Sequence, residues 1–211
     1  MKNYYNTLAE EIFYLANLEI DTDSMRRQFF YIDPVKLEKN LDTDDLKKAF
    51  WINVYNAFYL IISNDLNQNT KIFDLKRIKI AGSVLSLNDI EHGILRKGKF
   101  KIGFGPIANP FYSDFIKNLA VSKVDNRICF ALRHTNLTAE NIEYFDCDLI
   151  EEQLTIISND FIRNDTEYDT ELKTSKHSTF LVSYLKNLRG KDSVKKLVKT
   201  TSNVDLVYCK I

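Results

Sequence analysis

Residues 49–63 read AFWINVYNAFYLIIS, and this run decides the fold. From Ala49 to Ile62 only Asn53 and Asn56 are strongly polar. A helix that is apolar all round is buried on most sides. Asp42, Thr43, Asp44 and Asp45 precede the run. Acidic and hydroxyl residues there cap free N–H groups and suit the positive helix end. The stretch is too short and too polar in its middle to span a membrane, which takes about 20 apolar residues. Asn53 and Asn56 are three apart and share a face. A buried amide without partners costs roughly 1–3 kcal/mol. Two readings follow: the asparagines satisfy loop backbone, or they line a cleft beside Tyr55.

Residues 84–96, VLSLNDIEHGILR, form the second informative segment. Ile78 to Ile80, the turn Ala81-Gly82-Ser83, and Val84-Leu85 suit a short hairpin, with Gly82 at the permissive turn position. Ser86 sits at an N-cap position with Asp89 three residues on, close to a capping box. On a wheel of about 100° per residue, Leu87, Ile90, Ile94 and Leu95 make one stripe. Glu91 falls inside that stripe, His92 falls at its margin, and Arg96 points away. A carboxylate on an apolar stripe has to be paired, hydrogen-bonded or protonated. Glu91 is therefore either a structural ion-pair member, with Arg127 as the expected partner, or an acid–base group working with His92. Gly93 suggests close approach of another backbone.

The two segments together resemble the family catalogued as domain of unknown function 547. The family's aromatic-Trp-Ile-Asn-x-Tyr-Asn-Ala helix is matched by Phe50, Trp51, Ile52, Asn53, Tyr55, Asn56 and Ala57. Its Leu-x-x-Ile-Glu-His-Gly-Ile-Leu-Arg element is matched by Leu87, Ile90, Glu91, His92, Gly93, Ile94, Leu95 and Arg96. A later Asp-x-Arg-Ile-x-Phe-Ala-Leu element is matched by Asp125, Arg127, Ile128, Phe130, Ala131 and Leu132. The matches span roughly residues 42–132. Relatives commonly carry a cysteine after this element and a Ser-Cys-Pro-Pro run a few residues on. Here those cysteine positions fall on His134 and Ala139, and the prolines are absent. The family's Tyr-Asp-Trp ending has no counterpart in residues 207–211, VYCKI. A thiol-dependent activity is therefore not carried over.

Composition suits one soluble domain over residues 1–211, with the family-like core at 42–132 and a helical C-terminal part at 133–211. The 29 Lys and Arg balance the 29 Asp and Glu, so no field suits nucleic acid or an anionic membrane. The N-terminus lacks a secretory apolar run; Tyr4, Tyr5, Leu8, Ile12 and Leu15 suit an amphipathic helix instead. Cys129, Cys147 and Cys209 have no metal or redox spacing, and reduced thiols in a cytoplasmic setting are the economical reading. There is no phosphate loop, Rossmann fingerprint, paired-histidine zinc helix or nucleophile elbow, and no cofactor is implied. His92, His134 and Glu91 as a metal set has weak support, because the histidines are far apart in sequence, and no metal is assigned.

The remaining expectations are a long irregular loop at 97–110, a short helix within 111–121, and a buried strand at 127–132. A strong helix follows Asp148. Another runs from Ser175 or Lys176 to Leu188 and ends at Gly190. A short helix at 194–199 and a strand at 204–209 follow, and the basic run 186–199 reads as a solvated face. His177 reads as exposed. The expected architecture is α+β: helix-rich, with a small, mostly antiparallel sheet.

Two functions stay open. One is a non-thiol, degenerate hydrolase-like scaffold that binds a peptide, protein or small ligand through Asn53, Tyr55, Asn56 and Arg127. The other is an active hydrolase or transferase using Glu91, His92 and His134 as an acid–base cluster.

Overall fold

The computed structural model describes residues 2–65, 71–102, 105–108, 112–132, 142–165, 167–169 and 174–176. The chain divides into two compact units, Met1–Leu154 and Thr155–Ile211. The architecture is helix-rich α+β with small antiparallel strand pairs.

In the first unit, α1 (Tyr4–Asn17) begins where Asn3 Oδ1 accepts the Asn6 N–H at 3.0 Å. Its inward face is Leu8, Ala9, Ile12, Phe13 and Ala16, while Tyr4 stays exposed and Leu15 is half-buried. The helix therefore sits slightly rotated from the stripe that starts at Tyr4. Next come α2 (Asp23–Phe30) and α3 (Pro34–Asn40), the latter capped by Asp33 Oδ1 and started by proline at the first turn.

The apolar run lies in α4 (Asp44–Asp65). Thr43 Oγ1 accepts the Leu46 N–H at 3.3 Å. Every residue from Lys48 to Phe58 is buried. Trp51 and Tyr55 are fully enclosed, and α1 packs along the helix. Each large apolar side chain so enclosed contributes about 1.5–3 kcal/mol. Among the described residues, no helix is long and apolar enough to cross a membrane.

A single 3-10 turn (Ile72–Asp74) leads to β1 (Ile78–Ile80) and β2 (Ser83–Leu85), an antiparallel hairpin. Its two-residue turn has positive φ at both Ala81 (50°) and Gly82 (71°). That conformation matches the twist of a tight hairpin. The turn also caps α2: the Ala81 N–H reaches Phe29 O at 2.8 Å and the Gly82 N–H reaches Phe30 O at 3.1 Å.

Within residues 97–110, expected as an irregular loop, the described residues include two strands. β3 (Lys99–Ile102) pairs antiparallel with β4 (Gly105–Ala108), with Pro106 opposite Lys101. A two-stranded ribbon is all edge, so a proline costs it no bond to a third strand. α5 (Asp114–Leu119) is the expected short helix, with Ser113 at its cap. The strand expected at 127–132 is a single helical turn, α6 (Ile128–Ala131). Asp125 starts it, its Oδ1 accepting the Arg127 N–H at 3.0 Å and its carbonyl accepting the Ile128 N–H at 3.3 Å.

α7 (Ile150–Asp165) is the strong helix after Asp148. In the second unit, β5 (Glu167–Asp169) pairs antiparallel with β6 (Thr174–Lys176). Ser175 and Lys176 are thus strand residues rather than a helix start. Residues 177–211, with His177, the helix to Leu188 and the later elements, lie outside the described residues.

Candidate functional site

The second sequence segment folds as a π helix (Asp89–Leu95). Its entry is the expected capping box. The Ser86 N–H donates to Asp89 Oδ2 at 2.8 Å, and the Asp89 N–H donates to Ser86 Oγ at 3.1 Å. The wider winding closes i to i+5: the Arg96 N–H donates to the Glu91 carbonyl at 2.9 Å. That winding brings the Arg96 side chain, opposite Glu91's side on an α wheel, to the Glu91 carboxylate. Arg96 Nη2 lies 3.4 Å from Glu91 Oε1. From α4, Tyr55 donates its hydroxyl to Glu91 Oε2, also at 3.4 Å.

Glu91 is thus buried between a phenol and a guanidinium. Burial and the Glu91 charge both push the Tyr55 hydroxyl well above its usual range, so it stays protonated and can donate to the carboxylate. His92 is half-buried beside this pair. Desolvation holds its pKa below 6.5, assisted by Arg96 and opposed by Glu91 and by Asp74. Asp74 itself accepts from Asn88 Nδ2 at 2.7 Å. At neutral pH His92 is therefore an uncharged imidazole that can accept or donate one hydrogen bond.

Gly93 is tightly enclosed. A Cβ there would meet Ile116 Cγ2 at 2.8 Å and the Tyr112 ring at 3.1 Å. The close neighbours are side chains on and before α5, not the backbone that was expected.

The two asparagines point elsewhere. Asn53 Nδ2 donates to Phe145 O, and the Phe145 N–H donates back to Asn53 Oδ1, both at 2.8 Å. Asn56 Nδ2 donates to Ala131 O at 2.9 Å. Both amides are fully buried. Asn53 satisfies loop backbone at Phe145 and Asn56 the last carbonyl of α6, while Tyr55 between them turns to Glu91.

Arg127 belongs to a separate ionic network, so its expected pairing with Glu91 gives way to other partners. Its Nη2 lies 2.6 Å from Asp125 Oδ2 and 2.5 Å from Glu151 Oε2. Lys48, buried on α4, meets Glu151, Asp45 at 2.9 Å and Asp125 at 3.7 Å. Burial opposes the Asp125 charge, but its hydrogen bonds from Arg127 win and lower its pKa. The same guanidinium, with Lys48, lowers that of Glu151. Burial also opposes the charge of Lys48, and its carboxylate partners outweigh it and raise the pKa. The arginine that meets Glu91 is Arg96, which the α wheel pointed away, and not Arg127. The signal for the right one was the spacing of five between Glu91 and Arg96, which becomes a contact only on a π helix.

His134 and Ala139, which stand at the family's cysteine positions, lie outside the described residues. Cys129 and Cys147 are both buried.

Fold and site define a helix-rich α+β domain built on an apolar central helix that donates a tyrosine to a π-helical Glu-His pair. The chain belongs to the family described as Protein of unknown function, DUF547, which it matches over residues 39–162. No curated protein and no solved structure matches it.

Proposed function

We propose that this DUF547 domain is a non-thiol, degenerate hydrolase-like scaffold that binds a peptide, protein or small ligand beside the π helix, in a reducing, cytoplasmic setting. The observation that supports this reading is the π helix itself. Such turns are rare and recur at functional sites. Here one places a neutral His92 next to a carboxylate already engaged by Tyr55 and Arg96. Glu91, so engaged, orients rather than abstracts. His92 is the group left to meet a ligand, with Asp74 near it.

One observation favours the second reading, an active hydrolase or transferase with His92 or His134 as base and Glu91 as its orienting group. Burial keeps the His92 imidazole neutral, the state a general base requires.

Both readings are tested by following the His92 ring resonances against a fragment library, with and without alkylation of the thiols, alongside turnover of p-nitrophenyl acetate. Binding predicts fragments that move His92 whether or not the thiols are blocked, and no ester turnover beyond that of free imidazole. Turnover that His92→Ala abolishes and alkylation leaves intact replaces it with the catalytic reading. A library that never moves His92 overturns binding at this place.

A further inference from the structure

Glu10 is a buried residue of α1, only 6% exposed. One of its oxygens, Oε2, meets the Lys2 ammonium, which also lies 3.4 Å from Asp146 Oδ2. The other oxygen, Oε1, is buried and has no hydrogen-bond partner among the described residues. One turn earlier, Asn6 is fully buried, and its Oδ1 is a second acceptor with no partner among them. Turning the Asn6 amide round does not cure this, because its Nδ2 already donates to Leu46 O at 3.0 Å.

Residues four apart on a helix share a face, and side chains lean toward the helix N-terminus. Glu10 therefore leans toward Asn6. Two buried acceptors on one face, with no donor between them, are both left unsatisfied. One proton placed between them answers both. A carboxylic acid supplies it, with one O–H to donate and a carbonyl oxygen that still accepts.

We propose that Glu10 takes up a proton on Oε1 and donates it to Asn6 Oδ1, which makes the pair a pH-sensitive latch on the N-terminal segment. The proton comes from solvent, and no bond within the protein breaks. In the charged state Glu10 grips Lys2 as an ion pair. In the protonated state Oε2 still accepts from Lys2, but its charge is gone and the ammonium leans on Asp146 instead. The segment before α1 is then held less tightly, while α1 itself is better satisfied.

The titratable and charged groups that face Glu10 are Lys2 from the N-terminal segment, and Asp146 and Cys147 from the turn after Phe145. α4 meets Asn6 through the uncharged Leu46 carbonyl, and α7 meets the turn through the uncharged Gln153 amide. Burial raises the Glu10 pKa, Lys2 opposes it by its hydrogen bond and charge, and Asp146 adds to the rise; the balance is upward. The folded chain thus holds a proton that the unfolded chain gives up. Stability from the pair is absent above the folded pKa and is gained as pH falls through it toward 4.5.

The test follows the Glu10 side-chain carboxyl carbon of the whole chain by NMR against pH. The expected midpoint lies above 4.5 and falls by about 0.5–1 in Asn6→Ala, where the acceptor is gone. Glu10→Gln carries a permanent N–H in place of the proton. It should melt higher than the parent at neutral pH, and the gap should close as pH falls. At one fixed pH, Lys2 of this variant should react faster with an acylating reagent than Lys2 of the parent. A parent midpoint at or below 4.5, or the same midpoint in Asn6→Ala, overturns the shared proton. Unchanged Lys2 reactivity overturns the latch. If Asn6→Ala does not fold, Glu10→Gln decides it: melting no higher than the parent at neutral pH overturns the proposal.

Discussion

Asn53 and Glu91 are both polar side chains on otherwise apolar helices, and both sit in sequence motifs of the same family. Their surroundings differ. Asn53 is fully enclosed and makes two reciprocal hydrogen bonds of 2.8 Å to one residue, Phe145. Glu91 sits on a π helix, and its contacts from Tyr55 and Arg96 are both 3.4 Å. Beside it stands a half-buried histidine that burial keeps neutral. The asparagine ties a helix to a distant loop with short, well-matched bonds. The glutamate has Tyr55 and Arg96 at 3.4 Å and sits on a π-helical backbone. Polar residues in two motifs of one family thus need not share a duty: Asn53 on α4 carries architecture, while in the function proposed above the π helix carries the group that meets a ligand.

The largest effect should come from Asn53→Ala. It leaves the N–H and C=O of Phe145 buried without partners, at about 1–3 kcal/mol for each. Urea unfolding should show a large drop in midpoint. If this variant loses no more stability than a change at Glu91, the division between the two regions is wrong.

Glu91→Ala should cost less. Removing one member of a fully buried ion pair costs about 3–5 kcal/mol. Arg96, however, is 32% exposed at its side chain and can be hydrated once its partner is gone. A folded but measurably less stable protein is expected. An unchanged melting temperature would take Glu91 out of the stability account and move it toward catalysis.

The smallest effect concerns pH. The folded-state pKa of His92 is below its ordinary 6.5. Below that value the unfolded chain binds a proton that the folded chain resists. The contribution is therefore complete above about pH 6.5 and is lost as pH falls toward the folded pKa. His92→Gln should flatten this part of the stability profile, while the acid loss from Asp125 and Glu151, whose pKa values are lowered, persists at lower pH. A profile identical in the two proteins would mean that His92 is solvated like a free imidazole.

Much of this was legible in the sequence, for identifiable reasons. The apolar run fixed α4, and Ser86 with Asp89 announced the capping box, because both depend on neighbours a few residues away. Residues 127–132 were misread as a strand, since a short apolar run fits a strand or a buried turn of helix equally well. The hairpin of β3 and β4 was hidden by Gly105 and Pro106, which usually punctuate loops. The π helix was invisible to a wheel drawn at α spacing, and with it went the Glu91–Arg96 contact.

From Lys48 to Phe58, α4 has no side that faces water, and this matters for timing as well as for packing. Asn53 and Phe145 are separated by 92 positions. Chains are synthesised at about 5–20 residues per second, so α4 exists for roughly 5–20 seconds before the residue that completes it has been made. During that interval α1 can shelter part of the helix, while the amides of Asn53 and Asn56 still lack their carbonyls. Asn53 becomes satisfied only once Phe145 has been made and has docked against α4.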